Sequence, residues 1–262
     1  MGGFGVLGLW LMLVLALVVS ITVALGSVWL SNRTLSPSVG TQHNSTMSPF
    51  LTVVGLVFGA LLGFTVVVAW EQFSSADANV AHEASTLTTM YRQTAGIPDP
   101  MRTQLRQQLR KYAEAVGGSE WNTDESGGGA GDNTRTAITE MYRLLGGQTS
   151  ASSSPVSGEF LKSLTVLASD RNQRALDAQS RIPPLLWAGL LFGGVLLVGL
   201  TGFMRLDSNR GHLLLSSAVA LLLGLLLFIV YWLDHPFGTE IGVTPAPFEQ
   251  SLRVFDVVDR GT

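Results

Sequence analysis

The sequence predicts an all-α membrane protein, with four transmembrane helices in two hairpins and a long helical extramembrane insert between the second and third spans. Three observations predict it. Four stretches carry no charged side chain over the roughly 20 residues needed to cross a bilayer core. Only 13% of the 262 residues are charged while 47% are apolar, whereas soluble domains carry about a quarter charged residues. The apolar residues also gather towards the two ends of the chain and the charges in its middle, so lipid solvates one part and water the other.

The first span covers residues 4–30, within a charge-free run from Met1 to Asn32. It is far longer than the roughly 7–15-residue core of a signal peptide and lacks a basic leader, which argues against cleavage. The second span covers 50–70 and stops at Glu71. The third covers 185–204, after Pro183-Pro184, and the fourth 213–233. Trp29, Trp70, Trp187 and Trp232 stand near the span ends, where the amphipathic indole favours the headgroup region. Four crossings place both termini and the insert on one side of the membrane. Basic residues near the span ends do not choose that side, since Arg33, Arg205 and Arg210 oppose Arg171, Arg174 and Arg181.

The chain therefore divides into a first hairpin (1–71), an insert (72–182), a second hairpin (183–234) and a tail (235–262). In the insert, Val80, Ala84, Leu87 and Tyr91 have helical spacing over 76–91, continuing out of the second span. Pro98 and Pro100 interrupt that helix. Residues 101–116 form another, with Leu105, Leu109 and Tyr112 on one face and Arg102, Arg106 and Arg110 on a face expected to be solvated. Gly-, Ser- and Asp-rich 117–134 and Ser-rich 148–158 read as mobile loops. A short helix over 137–145 lies between them, and a long one over 159–181 leads into the third span. The insert has few large apolar residues and is expected to pack as an antiparallel bundle against neighbours.

Several function classes fall away. Without cysteine there is no disulfide, thiolate metal site or cysteine nucleophile. A net charge of −3 with no Lys/Arg cluster gives no nucleic-acid surface. His43, His82, His212 and His235 lack the i, i+4 spacing of a zinc helix, and each reads as an interfacial polar residue. No nucleophile elbow, Walker sequence or dinucleotide glycine pattern occurs. Glu71, Asp77 and Glu83 just beyond the second span read as solvated acids. The sequence is not that of an enzyme, and no cofactor or metal is expected.

Two segments carry more information. Gly55, Gly59 and Gly63 stand at steps of four on one face of the second span and allow another backbone to approach. After the fourth span, Pro236-Phe237-Gly238 stops the helix. Pro245, Pro247 and Phe248 then precede an amphipathic 250–258, together a stiff, docked tail.

With His43-Asn44, Gly55-Leu56, Leu62-Gly63-Phe64, Trp70-Glu71-Gln72-Phe73, Pro183-Pro184, Pro236-Phe237-Gly238, Val243, Pro245, Pro247 and Phe248, the chain resembles the bestrophin-like family of four-span membrane proteins over nearly its whole length. It is distantly similar to bestrophin anion channels. That resemblance implies a homo-oligomer, a pentamer, whose second span lines an axial path for anions. In the register of Gly55 and Gly63, Leu56, Ala60 and Phe64 fall on the positions of an apolar pore neck. It also implies a multi-pass protein of the cell membrane, with insert and termini in the cytosol. The chain departs from the family in two places. Glu240 is the sole acid between Gly238 and Glu249, too few oxygens for a calcium site, and Thr65-Val66-Val67-Val68-Ala69 replaces a basic and aromatic run. The alternative reading is a non-conducting scaffold or sensor that displays the insert to a protein partner.

Overall fold

Eight helices dominate the computed structural model, which describes residues 6–34, 41–121, 131–147, 155–204, 208–237 and 241–260. They are α1 (Val6–Thr34), α2 (Thr41–Gln93), α3 (Met101–Ala115), α4 (Asp132–Gly146), α5 (Pro155–Gln179), α6 (Pro184–Phe203), α7 (Asn209–Leu233) and α8 (Ala246–Arg260). A 3₁₀ turn, Thr94–Gly96, closes α2, and a π turn, Val116–Glu120, extends α3. No strand occurs among the described residues. Within them, four helical stretches are long and apolar enough to cross a membrane.

The chain forms two compact units. One comprises residues 4–71 and 181–234. In it α1 packs against α6 and α7, and α6 against α7. Lipid tails are as apolar as the side chains, so close packing rather than the hydrophobic effect holds such helices together. Small residues provide it. A side chain at Gly202 would collide with Ser27, and one at Gly224 with Ser20. The ring of Phe58 fills a notch over Gly193, where an added Cβ would meet Cδ2 at 2.6 Å. Large apolar side chains such as Leu7, Leu11, Phe192 and Leu214 are left exposed, as expected of residues solvated by lipid.

The third span starts where α6 starts, at Pro184, because proline lacks the N–H that a first helical position cannot use. The long helix expected to run through 181 stops instead at Gln179. Residues 180–183 are extended or irregular, and the buried Asp234 carboxylate accepts from the Ile182 N–H (2.6 Å) and from Trp187 Nε1–H (3.2 Å). At the other end of α6, His43 Nε2–H donates to the Phe203 carbonyl and His212 Nε2–H to the Thr201 carbonyl, both at 3.2 Å. His43 thus meets one of the carbonyls that a helix leaves without an intrahelical partner at its C-terminus, while the Thr201 carbonyl also accepts the Met204 N–H at 3.3 Å.

The other unit comprises 72–180 and 235–262. The C-terminal half of α2 and α5 run antiparallel, joined by a polar ladder whose numbers rise on one helix as they fall on the other. Its rungs are Asn79–Asp177, Glu83–Arg174, Thr86–Asp170 and Gln93–Ser163. Beside it lies a single apolar core, including Leu87, Met90, Leu105, Leu109, Met141, Phe160, Leu164, Phe248 and Phe255. The expectation of an insert poor in large apolar residues omitted the tail, which supplies two of these phenylalanines. Of the segments read as mobile loops, 122–130 and 148–154 lie outside the described residues. Residues 132–134 and 155–158 at their edges are helical, as are 117–121 except for a kink at Gly118, whose backbone is non-helical.

Candidate functional site

The face of α2 named by the glycines and the neck positions can be laid out from helical geometry. At about 100° per residue, Phe58, Leu62, Thr65 and Ala69 share one face, and Leu56, Ala60 and Phe64 centre about 190° away from it. The first four are buried. The other three are exposed, Leu56 at 73% and Phe64 at 70%. Within its own chain α2 therefore packs by the Phe58–Ala69 face and turns Leu56, Ala60 and Phe64 away. Gly55, Gly59 and Gly63 lie on the flank between, about 90° from the buried face. A Cβ at Gly59 or Gly63 would meet nothing within 4 Å, and one at Gly55 only the end of Leu197 at 3.7 Å. Inside one chain this stripe packs against almost nothing. Gly193, Gly202 and Gly224 do the close packing there, and Ser20 and Ser27, seven residues apart in a mostly apolar span, were the available sequence signal.

The tail is built into the second unit. The Val243 N–H donates to the Pro236 carbonyl at 2.8 Å, closing the segment that contains Gly238 and Glu240, both outside the described residues. Pro236 and Phe237 are buried, and Phe237 meets Trp121 edge-on at 5.6 Å between ring centres. Pro245 offers its carbonyl to the Phe248 and Glu249 N–H groups and so starts α8. Pro247, in the first turn, has no N–H to leave unpaired.

The arginine face expected to be solvated is largely spoken for by α8. Arg106 pairs with Asp259 at 2.9 Å, and Arg110 pairs with Asp256 at 2.9 Å and Asp259 at 3.1 Å. Tyr91 stacks on Phe255 at 4.0 Å, and its hydroxyl donates to Asp259 at 2.6 Å. The Arg106 guanidinium lies over the Tyr91 ring, 5.2 Å from its centre. The sequence reading had no partner for these cations because the acids lie some 150 residues away. Arg102 alone pairs locally, with Asp99.

Glu83, read as a solvated acid, is also corrected. It is fully buried, accepting from Tyr112 Oη–H at 2.6 Å and Arg174 Nε–H at 2.9 Å. Burial lifts its carboxyl above the ordinary carboxylate value, opposed by the Arg174 charge and by hydrogen bonds from Tyr112 and Arg174. Burial, with the Glu83 charge beside it, likewise pushes the Tyr112 hydroxyl well up. The triad is an ion pair locking α2, α3 and α5 together. No group of three or more potential metal ligands occurs among the described residues.

Fold and faces together define an all-helical membrane protein whose second span presents an unoccupied apolar face. Residues 16–248 match the bestrophin-like domain, and the chain belongs to the bestrophin-like family. Solved structures share its fold. A bacterial bestrophin homologue from Klebsiella pneumoniae, in a single-site mutant, aligns with a TM-score of 0.71 at 14% identity, covering 93% of this chain and 97% of that one. The same homologue in another crystal structure gives 0.69 at 16% identity, covering 94% and 96%. A structure described as a membrane protein gives 0.70 at 15% identity, covering 93% and 97%. No curated protein matches the sequence.

Proposed function

We propose that the chain assembles as a homo-oligomer, a pentamer, and conducts anions along an axis lined by α2, with Leu56, Ala60 and Phe64 forming an apolar neck. One observation carries this reading. These three side chains point away from the face by which α2 packs on its own chain, as an axis-lining helix requires, and none is occupied by a neighbour within that chain. An apolar constriction of this kind gates by dewetting and needs no charged ring. The open glycine flank then receives the adjacent subunit, because small residues let helices in lipid approach closely.

In the same reading the four spans form two hairpins of the cell membrane around the insert, and the second unit, with both termini, faces the cytosol. The docked tail, through Pro236, Phe237 and Phe248, fixes that unit as one body. The family membership and the shared fold of the Klebsiella bestrophin homologue support the channel class.

Planar-bilayer recording of purified protein tests it. Anion current is expected, and Phe64→Ala is expected to raise conductance by widening the neck. Absence of current from an assembled particle under every ionic and voltage condition would overturn the reading. Sidedness is tested separately with Gly146→Cys in this otherwise cysteine-free chain. An impermeant thiol reagent is expected to label it in inverted membrane vesicles and not in intact cells.

A further inference from the structure

A cavity of about 400 Å³ lies along the C-terminal half of α2 where α8 runs beside it, lined by Ala81, Ala84, Ser85, Thr88, Arg92, Pro247, Gln250, Ser251 and Val254. We propose that this groove binds a small organic acid, its anionic head on Arg92 and its short apolar body against Ala81, Ala84 and Val254.

Its size falls within the roughly 300–1,000 Å³ of small-molecule sites. The groove stays open for a structural reason. α2 and α8 are held together at Thr88–Ser251, with 3.0 Å between hydroxyls, and at the Tyr91–Phe255 stack. The α2 residues before Thr88 that face the gap, Ala81, Ala84 and Ser85, are too small to fill it.

The charged residue in its lining is Arg92. The Thr88 hydroxyl proton is shared between Ser251 Oγ and the Ala84 carbonyl, and the Ser251 hydroxyl proton between the Ala84 and Pro247 carbonyls, so both are used within the protein. Ser85, Gln250 and Arg92 make no such bond among the described residues and keep their donors for a ligand. No carboxylate lines the groove. Of the acids of α8, Asp256 and Asp259 are held by Arg106, Arg110 and Tyr91, and Glu249, beside Gln250, lies outside the lining and forms no ion pair with Arg92. Arg92 is thus a cation without an acidic partner among the described residues, in contrast to Arg106 and Arg110. A guanidinium with two neutral donors beside it calls for a carboxylate or phosphate, to which charge-assisted bonds are the strong ones. A bare inorganic anion would leave the Ala81, Ala84, Pro247 and Val254 surface in water, so the fitting ligand has an apolar part as well.

The test uses the full chain in phosphatidylcholine nanodiscs and calorimetric titration with hexanoate, inorganic phosphate and hexanol. It is read as binding and so does not depend on conductance. Saturable hexanoate binding is expected, with phosphate and hexanol each at least tenfold weaker. Arg92→Ala is expected to weaken hexanoate at least tenfold, and Val254→Trp, which fills the groove while leaving Arg92 in place, to abolish it. Arg253→Ala, an exposed arginine on α8 outside the lining, should change nothing. The proposal is overturned if wild-type protein shows no saturable hexanoate binding, or if binding survives both Arg92→Ala and Val254→Trp, which would mark partition into lipid. It is also overturned if phosphate alone binds as tightly as hexanoate.

Discussion

Glu83 shows how one residue ties the second unit together. Removing one partner of a buried ion pair leaves an uncompensated charge, at a cost of about 3–5 kcal/mol. Glu83→Gln should therefore lower the thermal midpoint sharply. Glu83→Gln combined with Arg174→Met should recover most of the loss, since the second change removes the buried charge that the first leaves unpaired. The pair also sets a pH dependence. Because the folded-state value of Glu83 lies above its ordinary one, its contribution is fully present below the ordinary carboxylate value. It declines as pH rises through the folded-state value. Tyr112→Phe removes a hydrogen bond that holds Glu83 down, so that decline should extend to higher pH in melting curves taken from pH 4 to 8. Nothing in the sequence announced this site. Glu83 sits among small and polar residues on α2, and its partners come from 29 and 91 positions further on.

At the scale of elements, the helices were legible and their partners were not. Charge-free length marked four apolar stretches, and four helical stretches long and apolar enough to cross a membrane are present among the described residues, because a bilayer imposes that length whatever the tertiary structure. Helical spacing likewise marked 101–116 and the tail helix. What the pattern concealed was that α8 completes the core under α2 and α3, a contact between residues over 150 positions apart. Phe255→Ala should cost about 3–5 kcal/mol, as for other buried phenylalanines. Asp259→Asn should cost only about 1 kcal/mol per ion pair lost, because the carboxylate is 39% exposed. Hydrogen exchange of 246–260 should rank the two in that order. In the membrane unit, Gly193→Val drives a side chain into Phe58 and should lower thermal stability in detergent. Adding Phe58→Ala should restore part of it.

For the whole molecule, the question is what covers the exposed side of α2. The glycine stripe was visible from its spacing, and its apparent use was helix packing. Among the described residues a Cβ at Gly59 or Gly63 would meet nothing within 4 Å, so in the proposed assembly their packing role lies between subunits. Gly59→Val is accordingly expected to leave the helical content and melting of the single chain unchanged while shifting the particle to smaller species in native mass spectrometry. A glycine that served only the fold of one chain would show the reverse. The proposed neck residues were placed by family resemblance rather than by any pattern of their own, since Leu, Ala and Phe in an apolar span carry no signal until the buried face is known. Helical geometry then puts them opposite that face.

The central claim, that the Leu56–Ala60–Phe64 face lines the conduction path, is tested most directly by thiol block of current in bilayers. Ala60→Cys should lose most of its current to a charged, water-soluble thiol reagent, while Phe58→Cys, on the buried face, should be unaffected. Equal sensitivity of the two variants, or a full current from Ala60→Cys after its thiol is shown to have reacted, would contradict the account.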